Sequence, residues 1–522
     1  MVIKGLVKKG EYFDSVSLMI LAKKLNEIND IHDSALVMGT KENKSILEAS
    51  GYLLKEFSEA KETDLLIAVK SAKEEIADFA LEKIDDHLHK LKISDDDDRD
   101  FSPMSIDNAV KVLPGANLVI ISLPGKYAGD EAMKALRKGL HVLLFSDNVT
   151  LEKEIELKKF AVDNGLLMMG PDCGTAIING VPLAFANVVN RGNIGIVAAA
   201  GTGLQEVSSI ISNEGGGISQ AIGTGGRDIK RAVGGLMFIK SLKALSKDES
   251  TDVILLVSKP PDQKVLEKIV NIVKDITKPV VAVFLKGKTE DEEVYDFYSA
   301  ITLEEGALVA VALSKRQAVK DVTEKIIQRE MELDEIAKVE SQKIEKKQKY
   351  LRALYSGGTF CSEAQIIFSE LSDEIYSNAP VEKSNKLSNA WQSEKHTIVD
   401  LGEDEFTVGK PHPMIDYSIR NKRIITEAED TETAVILLDV VLGYGSNMNP
   451  LADILPVLTK AKSIAKENQR YLPIICSVTG TDKDPQIRSN VAEGLKQAGA
   501  LVMESNAAAC KLSYYIIKYL RE

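Results

Sequence analysis

IGIVAAAGTGLQEV (residues 194–207) and ISQAIGTGGRDI (218–229) are the two stretches on which the fold turns. Each begins as an apolar run of β type, ends in small residues and glycines, and then takes up a helical pattern. Gly201, Thr202 and Gly203 close the first run; Gly223, Thr224, Gly225 and Gly226 close the second. Glycine lets a backbone approach a ligand closely, and the unpaired N–H groups of a following helix attract phosphate or carboxylate. Two such loops can converge at the carboxyl ends of a parallel sheet, where open α/β folds bind ligands. Either they hold an anion there, with Thr202 and Thr224 donating hydroxyl hydrogen bonds, or they are ordinary turns of a doubly wound domain.

Outward from these stretches the chain keeps a βαβ rhythm. NLVIISL, HVLLFS and LLMMG precede them, with helical segments between; DVILLVS and PVVAVFL follow, and ALVAVA at 307–312 reads as one more strand. The fold class is therefore α/β and multi-domain, with doubly wound parallel sheets. Residues 1–93 form a small α+β unit whose order of elements suits a ferredoxin-like split βαβ sandwich. Residues 103–190 form a first Rossmann-type domain and 191–325 a second α/β domain. The charged stretch 322–349 reads as a helical connector, and 350–522 form a last α/β domain. SDDDDRD at 94–100 is a solvated linker, since it lacks the glycine turn and closing glutamate of a calcium loop.

The 522 residues carry 65 basic and 78 acidic side chains, a net charge of −13, which argues against nucleic acid or an anionic membrane as partner. The four cysteines stand far apart, so a zinc site is not expected and reduced thiols in a cytoplasmic protein are. No apolar run has signal-peptide or membrane-spanning length.

Other residues invite chemistry. Arg227 follows the second glycine loop and offers a planar fork for an anion. Asp172 and Cys173, in the tight loop GPDCG, read as substrate contacts, although Asp172 is as well suited to capping and no histidine adjoins Cys173 in sequence to activate it. His412 lies between Pro411 and Pro413, either as an acid–base group or as a locally bonded loop histidine. Asp439 sits on the apolar strand AVILLD and needs a buried partner or a site role. Gly443, Gly445 and Ser446 supply a further strand-end loop that either binds a small ligand or turns.

The motifs MMGPDCGTAI, RGNIGIVAAAGTGLQEV and ISQAIGTGGRD resemble the succinyl-CoA synthetase α-subunit and the NDP-forming acyl-CoA synthetases. Residues 350–522 resemble the small α/β domain that ends the β-subunit of that ligase. The strings LVKKGEYFDSVSLM, YSGGTFCSEA, GKPHPMID and LLDVVLGYGSNMNP resemble the FdrA family over nearly the whole chain. The resemblance implies sheets of succinyl-CoA synthetase type, a CoA-binding-like domain at 103–190, and a subunit of an oxamate carbamoyltransferase. It further implies carbamoyl phosphate and oxamate-like acids as small anionic substrates, with companion subunits in an oligomer. An NDP-forming acyl-CoA synthetase and a non-catalytic scaffold are the alternatives.

Two departures bear on the chemistry. The ligase family carries its phosphoryl group on a histidine just after a KPVVGF-like strand, whereas this chain has no histidine between His141 and His396. Lys286, Lys288 and Glu292, which follow that strand here, are no chemical substitute. NLVIISLPGKYAG also lacks a glycine-rich nucleotide fingerprint, so the motif for CoA or a nucleotide is incomplete and no cofactor is firmly expected.

Overall fold

The computed structural model describes the chain apart from residues 12, 14, 27, 29, 41–42, 45–46, 49–50, 97–102, 104, 286–295, 383 and 408–409. Lys286, Lys288, Glu292 and the linker aspartates Asp97, Asp98 and Asp100 thus lie outside the described residues. The chain divides into two compact units, residues 1–112 with 404–412, and residues 113–403 with 413–522.

In the first unit, strands β1 (Val2–Lys8), β2 (Ile31–Met38) and β3 (Leu65–Ser71) form a sheet of order β1-β3-β2, with β3 antiparallel to both neighbours. This is the split βαβ arrangement with three strands among the described residues. Alternation along β3 divides its side chains between the two faces. Leu65, Ile67 and Val69 share a core with Leu18, Leu21, Ala77 and Ile84, while Leu66 and Ala68 pack on Tyr52 and Phe57. The last helix of this layer, Glu74–Asp96, runs into the start of the expected acidic linker.

The second unit holds three sheets. β4 (Leu118–Ile121), β5 (His141–Leu144) and β6 (Met168–Met169) are parallel. A seven-stranded sheet then runs β13-β12-β11-β9-β10-β7-β8. Its members are β7 (Thr175–Ile178), β8 (Val181–Ala184), β9 (Arg191–Ala199), β10 (Ile218–Gly223), β11 (Val253–Ser258), β12 (Val280–Phe284) and β13 (Tyr298–Ser299). Strands β9 to β13 are parallel, and the β7–β8 hairpin joins antiparallel to β10, so residues 175–184 belong to this sheet rather than to the one before it. The third sheet is wholly parallel in the order β16-β15-β17-β14-β18-β19-β20. It comprises β14 (Tyr350–Tyr355), β15 (Ile375–Ser377), β16 (Asn385–Lys386), β17 (His396–Asp400), β18 (Thr433–Val441), β19 (Ile474–Thr479) and β20 (Leu501–Met503).

Strand β9 shows why its apolar run reads as continuous: both faces are buried, as parallel sheets require. Val197 and Ala199 face Phe238, Leu242, Val265 and Ile269 on one side. Ile194, Ile196 and Ala198 face a core shared with the third sheet, which includes Leu204, Phe360, Leu351, Ala353, Ala508 and Leu512. The expected connector is the helix Val319–Ser341, whose Leu333 and Ala337 enter that same core. ALVAVA is not a strand. It lies inside the helix Leu303–Ser314, opened by the Thr302 side chain accepting from the Glu305 N–H. A short apolar run looks alike in a buried helix and a buried strand, and here the cap decides.

Candidate functional site

The two glycine loops part company in the structure. The helix Gly201–Asn213 begins directly at Gly201, and no side chain caps its first turn. No helix opens after Gly226. The chain makes successive turns until the helix Leu236–Lys247, whose first N–H groups at Met237 and Phe238 are taken by the Asp228 carboxylate. The anion at that N-terminus is thus part of the protein. The Gly223 and Gly225 positions are glycine because another loop lies against them. A Cβ would stand 2.3 Å from the Thr175 carbonyl oxygen at Gly223, and 2.3 Å from that of Pro171 at Gly225. Gly226 faces open space. The buried Thr224 directs its hydroxyl to the Ala198 carbonyl, 3.4 Å away.

Arg227 is not a free counter-ion: its Nε pairs with Glu154 at 2.8 Å and its Nη2 donates to the Val149 carbonyl. Glu154 and Asp228 also hold Lys158, which is fully buried and donates to the Thr224 carbonyl as well. This cluster ties the three-stranded sheet's last helix to the second loop. Asp172 takes a left-handed backbone (φ 55°) and donates its N–H to the Ser146 carbonyl. The Cys173 thiol is buried, which pushes it up to about 12 and keeps it from serving as a thiolate nucleophile near neutral pH.

In the third sheet, Asp439 has found its buried partner. Arg420 reaches it at 3.1 Å while stacking over the Tyr417 ring, and the Ser356 and Gly357 N–H groups donate to the same carboxylate. Burial raises the Asp439 carboxyl pKa, opposed by Arg420 and by these hydrogen bonds. Gly443 and Gly445 bring a loop against residues 185–186. A Cβ on either would stand 2.6 Å from the Ala186 carbonyl oxygen or 2.7 Å from the Phe185 ring. Ser446 is buried beneath them. His412 belongs to the first unit, where burial lowers its imidazole pKa to about 4 and leaves it neutral at pH 7.

What the structure brings together is a pair of helix starts. The helix Gly358–Phe368 begins after Gly357, again with no side-chain cap. Its opening, Gly-Thr-Phe-Cys-Ser-Glu, repeats the Gly-Thr-Gly-Leu-Gln-Glu of the Gly201 helix. The two first turns abut: a Cβ on Gly357 would stand 2.7 Å from Thr202 Cγ2, and one on Gly203 would stand 2.9 Å from Thr359 Cγ2. Each helix leaves its first N–H groups without intrahelical partners and presents a positive dipole end. Gly201 is exposed and Gly358 half-buried, so this paired start is open to small solutes. Lys259, just past the end of β11, adds a full positive charge, its Nζ 4.0 Å from the point a Gly358 Cβ would occupy.

The two glutamates of the repeat cross between the sheets. Glu206 accepts from the Asn506 N–H (2.8 Å) at the start of the helix Asn506–Arg521, and from the Thr479 hydroxyl (2.6 Å). Glu363 accepts from the Leu303 N–H (2.8 Å) at the start of Leu303–Ser314, and from Asn506 Nδ2 (2.7 Å). Each half therefore supplies the acidic cap for the other half's last helix. The repeat of Gly-Thr and a glutamate four residues after the threonine was the signal for Gly358, Thr359 and Glu363. Nothing local in sequence marks Lys259.

Among the described residues no group of three or more His, Cys, Asp or Glu could hold a metal ion, and no helix is long and apolar enough to cross a membrane. Three family models match the chain: "AllF, heavy metal-associated domain" over residues 1–103, "CoA binding domain" over 189–285, and "CoA-ligase" over 354–516. The CoA-binding match thus falls on the strands β9 to β12, beyond the 103–190 segment for which it was expected. A protein of Escherichia coli (strain K12), "Uncharacterized protein YahF", is 41% identical over 97% of both chains. The α-subunit of the ADP-forming succinate–CoA ligase of Aquifex aeolicus is 28% identical over 34% of this chain and 59% of its own length. An ADP-forming sulfoacetate-CoA ligase subunit, SauD, of Bilophila wadsworthia is 25% identical over 36% of this chain and 65% of its own. The chain thus spans about three-fifths of the length of these ligase subunits. Superposition on PH0766 of Pyrococcus horikoshii OT3 covers 80% of this chain and 87% of that one, at 16% identity and a TM-score of 0.33.

Proposed function

The chain belongs to the same family as YahF of Escherichia coli, and we propose that it is an enzyme of acyl-CoA ligase type that holds an acyl phosphate and passes its acyl group to an acceptor. The observation that carries this reading is the paired start of the Gly201 and Gly358 helices with Lys259 beside it. Two uncapped helix dipoles and one ammonium suit a phosphate dianion. They would stabilise the charge that collects on it as the acyl–oxygen bond breaks. The CoA-binding and CoA-ligase matches cover the two sheets that provide these helices, and the ADP-forming CoA-ligase relatives favour a thiol acceptor. No histidine lies between His141 and His396 to take the phosphoryl group, so the phosphate stays on the acyl donor until transfer.

That same lack of a histidine favours a second reading, direct transfer of a carbamoyl group from carbamoyl phosphate to an oxamate-like acid. The match of residues 1–103 to a model described as belonging to AllF is compatible with it but does not carry it. Isothermal titration of the full chain with acetyl phosphate, carbamoyl phosphate and CoA in separate cells tests the proposal. Binding of acetyl phosphate and CoA supports the ligase-type reading. Binding of carbamoyl phosphate alone selects the second. Failure of both acyl phosphates to bind overturns both.

A further inference from the structure

Beside the paired helix starts lies a carboxylate of which one oxygen accepts no hydrogen bond or ion pair among the described residues. Asp400 ends β17 and is only 4% exposed. Its backbone is clamped by Asn378, which accepts from the Asp400 N–H (2.9 Å) and donates to its carbonyl (2.9 Å). Oδ1 accepts from the Gly402 N–H at 2.9 Å. Oδ2 accepts no hydrogen bond from the described residues and stands 2.5 Å from where a Gly358 Cβ would be. Lys259 Nζ approaches the same point and has no hydrogen bond or ion pair among the described residues. A carboxylate that is only 4% exposed, yet keeps one oxygen free of protein donors beside a helix start, is placed to meet something that carries a proton.

We propose that Asp400 is the general base that takes the proton from the acyl acceptor, with Lys259 orienting the phosphate opposite it; this rests on the acyl-phosphate reading. The acceptor X–H gives its proton to Asp400 Oδ2 as the X–C bond forms. The carbonyl carbon–oxygen bond to phosphate then breaks, the electron pair leaves with phosphate, and the proton passes from Asp400 to that phosphate. Acyl phosphate and X–H thus become acyl–X and hydrogen phosphate, with no oxidant or further reactant. The surroundings suit the task. Burial and the neighbouring Glu403 raise the carboxyl pKa to about 7, against the lowering by Lys259 and the Gly402 N–H, and Asp439 adds to the rise. A base poised near the working pH is the effective one.

The test uses the full chain, wild type and Asp400→Asn, with acetyl phosphate and carbamoyl phosphate as donors and CoA and oxamate as acceptors. Asn is close in size and keeps the acceptor for the Gly402 N–H. Acyl-phosphate affinity in Asp400→Asn is expected within about 3-fold of wild type, or tighter, since a negative charge is removed. Transfer rate is expected to fall about 100-fold or more, and the acid limb of the rate profile near pH 7 is expected to disappear. An unchanged rate, or an unchanged acid limb, overturns the base. Binding by wild type with no product from either acceptor also overturns it, while acyl-phosphate binding at the paired helix starts stands. Failure of wild type to bind either donor overturns the reading itself.

Discussion

Glu363 offers a sharp test of the crossed caps, because its environment sets two effects against each other. Its carboxylate accepts two N–H groups, which favours charge, yet it is fully buried and close to Glu206, which disfavours charge. Burial dominates and raises the pKa from an ordinary 4.5 to about 7. The unfolded chain titrates near 4.5. Between 4.5 and 7 the folded state therefore binds the extra proton, and stability falls as pH rises through that window. The penalty is absent below 4.5 and complete above 7. It amounts to about 3 kcal/mol at about 1.4 kcal/mol per pH unit. Glu363→Gln removes the titration and keeps the shape. Its amide can still accept from the Leu303 N–H, and Asn506 Oδ1, buried without a partner, is available as its acceptor once the Asn506 amide rotates. Relative to wild type, Glu363→Gln should gain about 3 kcal/mol between pH 4.5 and 8. Urea unfolding of both proteins across that range, followed by the fluorescence of the single tryptophan, Trp391, reads the difference. Subtraction cancels Asp400, which also titrates upward-shifted; Glu206, whose charge raises Glu363, is relieved in Glu363→Gln and adds to the gain. A pH-independent difference between the two proteins would refute the claim that Glu363 resists ionisation.

Gly358→Ala places a methyl group 2.5 Å from Asp400 Oδ2, and acetyl phosphate affinity measured by calorimetry should fall at least about 10-fold. Thr224→Val should leave that affinity unchanged and lower stability by about 1 kcal/mol in thermal melts, since it removes only a buried hydroxyl-to-carbonyl bond. Lys158→Met takes a buried cation from Glu154 and Asp228, which keep Arg227 and the Met237 and Phe238 N–H groups, and unfolding should become easier by about 3 kcal/mol. His396 and His412 should titrate near pH 4 by imidazole NMR, since burial depresses both. Their contribution to stability is full above pH 6.5 and is lost as pH falls from 6.5 towards 4.

The strands were legible wherever burial on both faces gave an unbroken apolar run, as in β9, β11 and β18. The same rule misread ALVAVA, because the deciding contacts, Thr302 and the crossed Glu363 cap, lie outside the run. The glycine loops were legible as close approaches but not as to what approaches. At Gly223, Gly225, Gly443 and Gly445 the neighbour is another stretch of backbone or a ring, whereas a Cβ on Gly201 would meet nothing nearer than 3.8 Å and one on Gly358 would meet the Asp400 carboxylate. Isolated charges were the least legible. Arg227 looked free because its partner, Glu154, lies 73 positions earlier in the chain. Nothing in the sequence around Asp400 singles it out, because the role proposed for it depends on Gly358 and Lys259, both distant in sequence.

The duplicated Gly-Thr-x-x-x-Glu element joins architecture to chemistry. In each half the glycine and threonine open a helix towards the site, and the glutamate one turn later reaches across to cap the opposite half's last helix. The helix starts therefore cannot separate without uncovering two buried carboxylates and the N–H groups they satisfy, an arrangement in which losing one partner is expensive. Preorganised dipoles stabilise developing charge only if they do not reorient during the reaction. The crossed caps supply that rigidity within one chain. What the two halves do not share is the charged pair: the Gly358 start has Lys259 and Asp400 beside it, while the nearest atom to a Cβ on Gly201 would be the neutral Thr175 hydroxyl at 3.8 Å. In the proposed reaction the symmetry holds the phosphate, and its breaking selects the side on which the proton is moved.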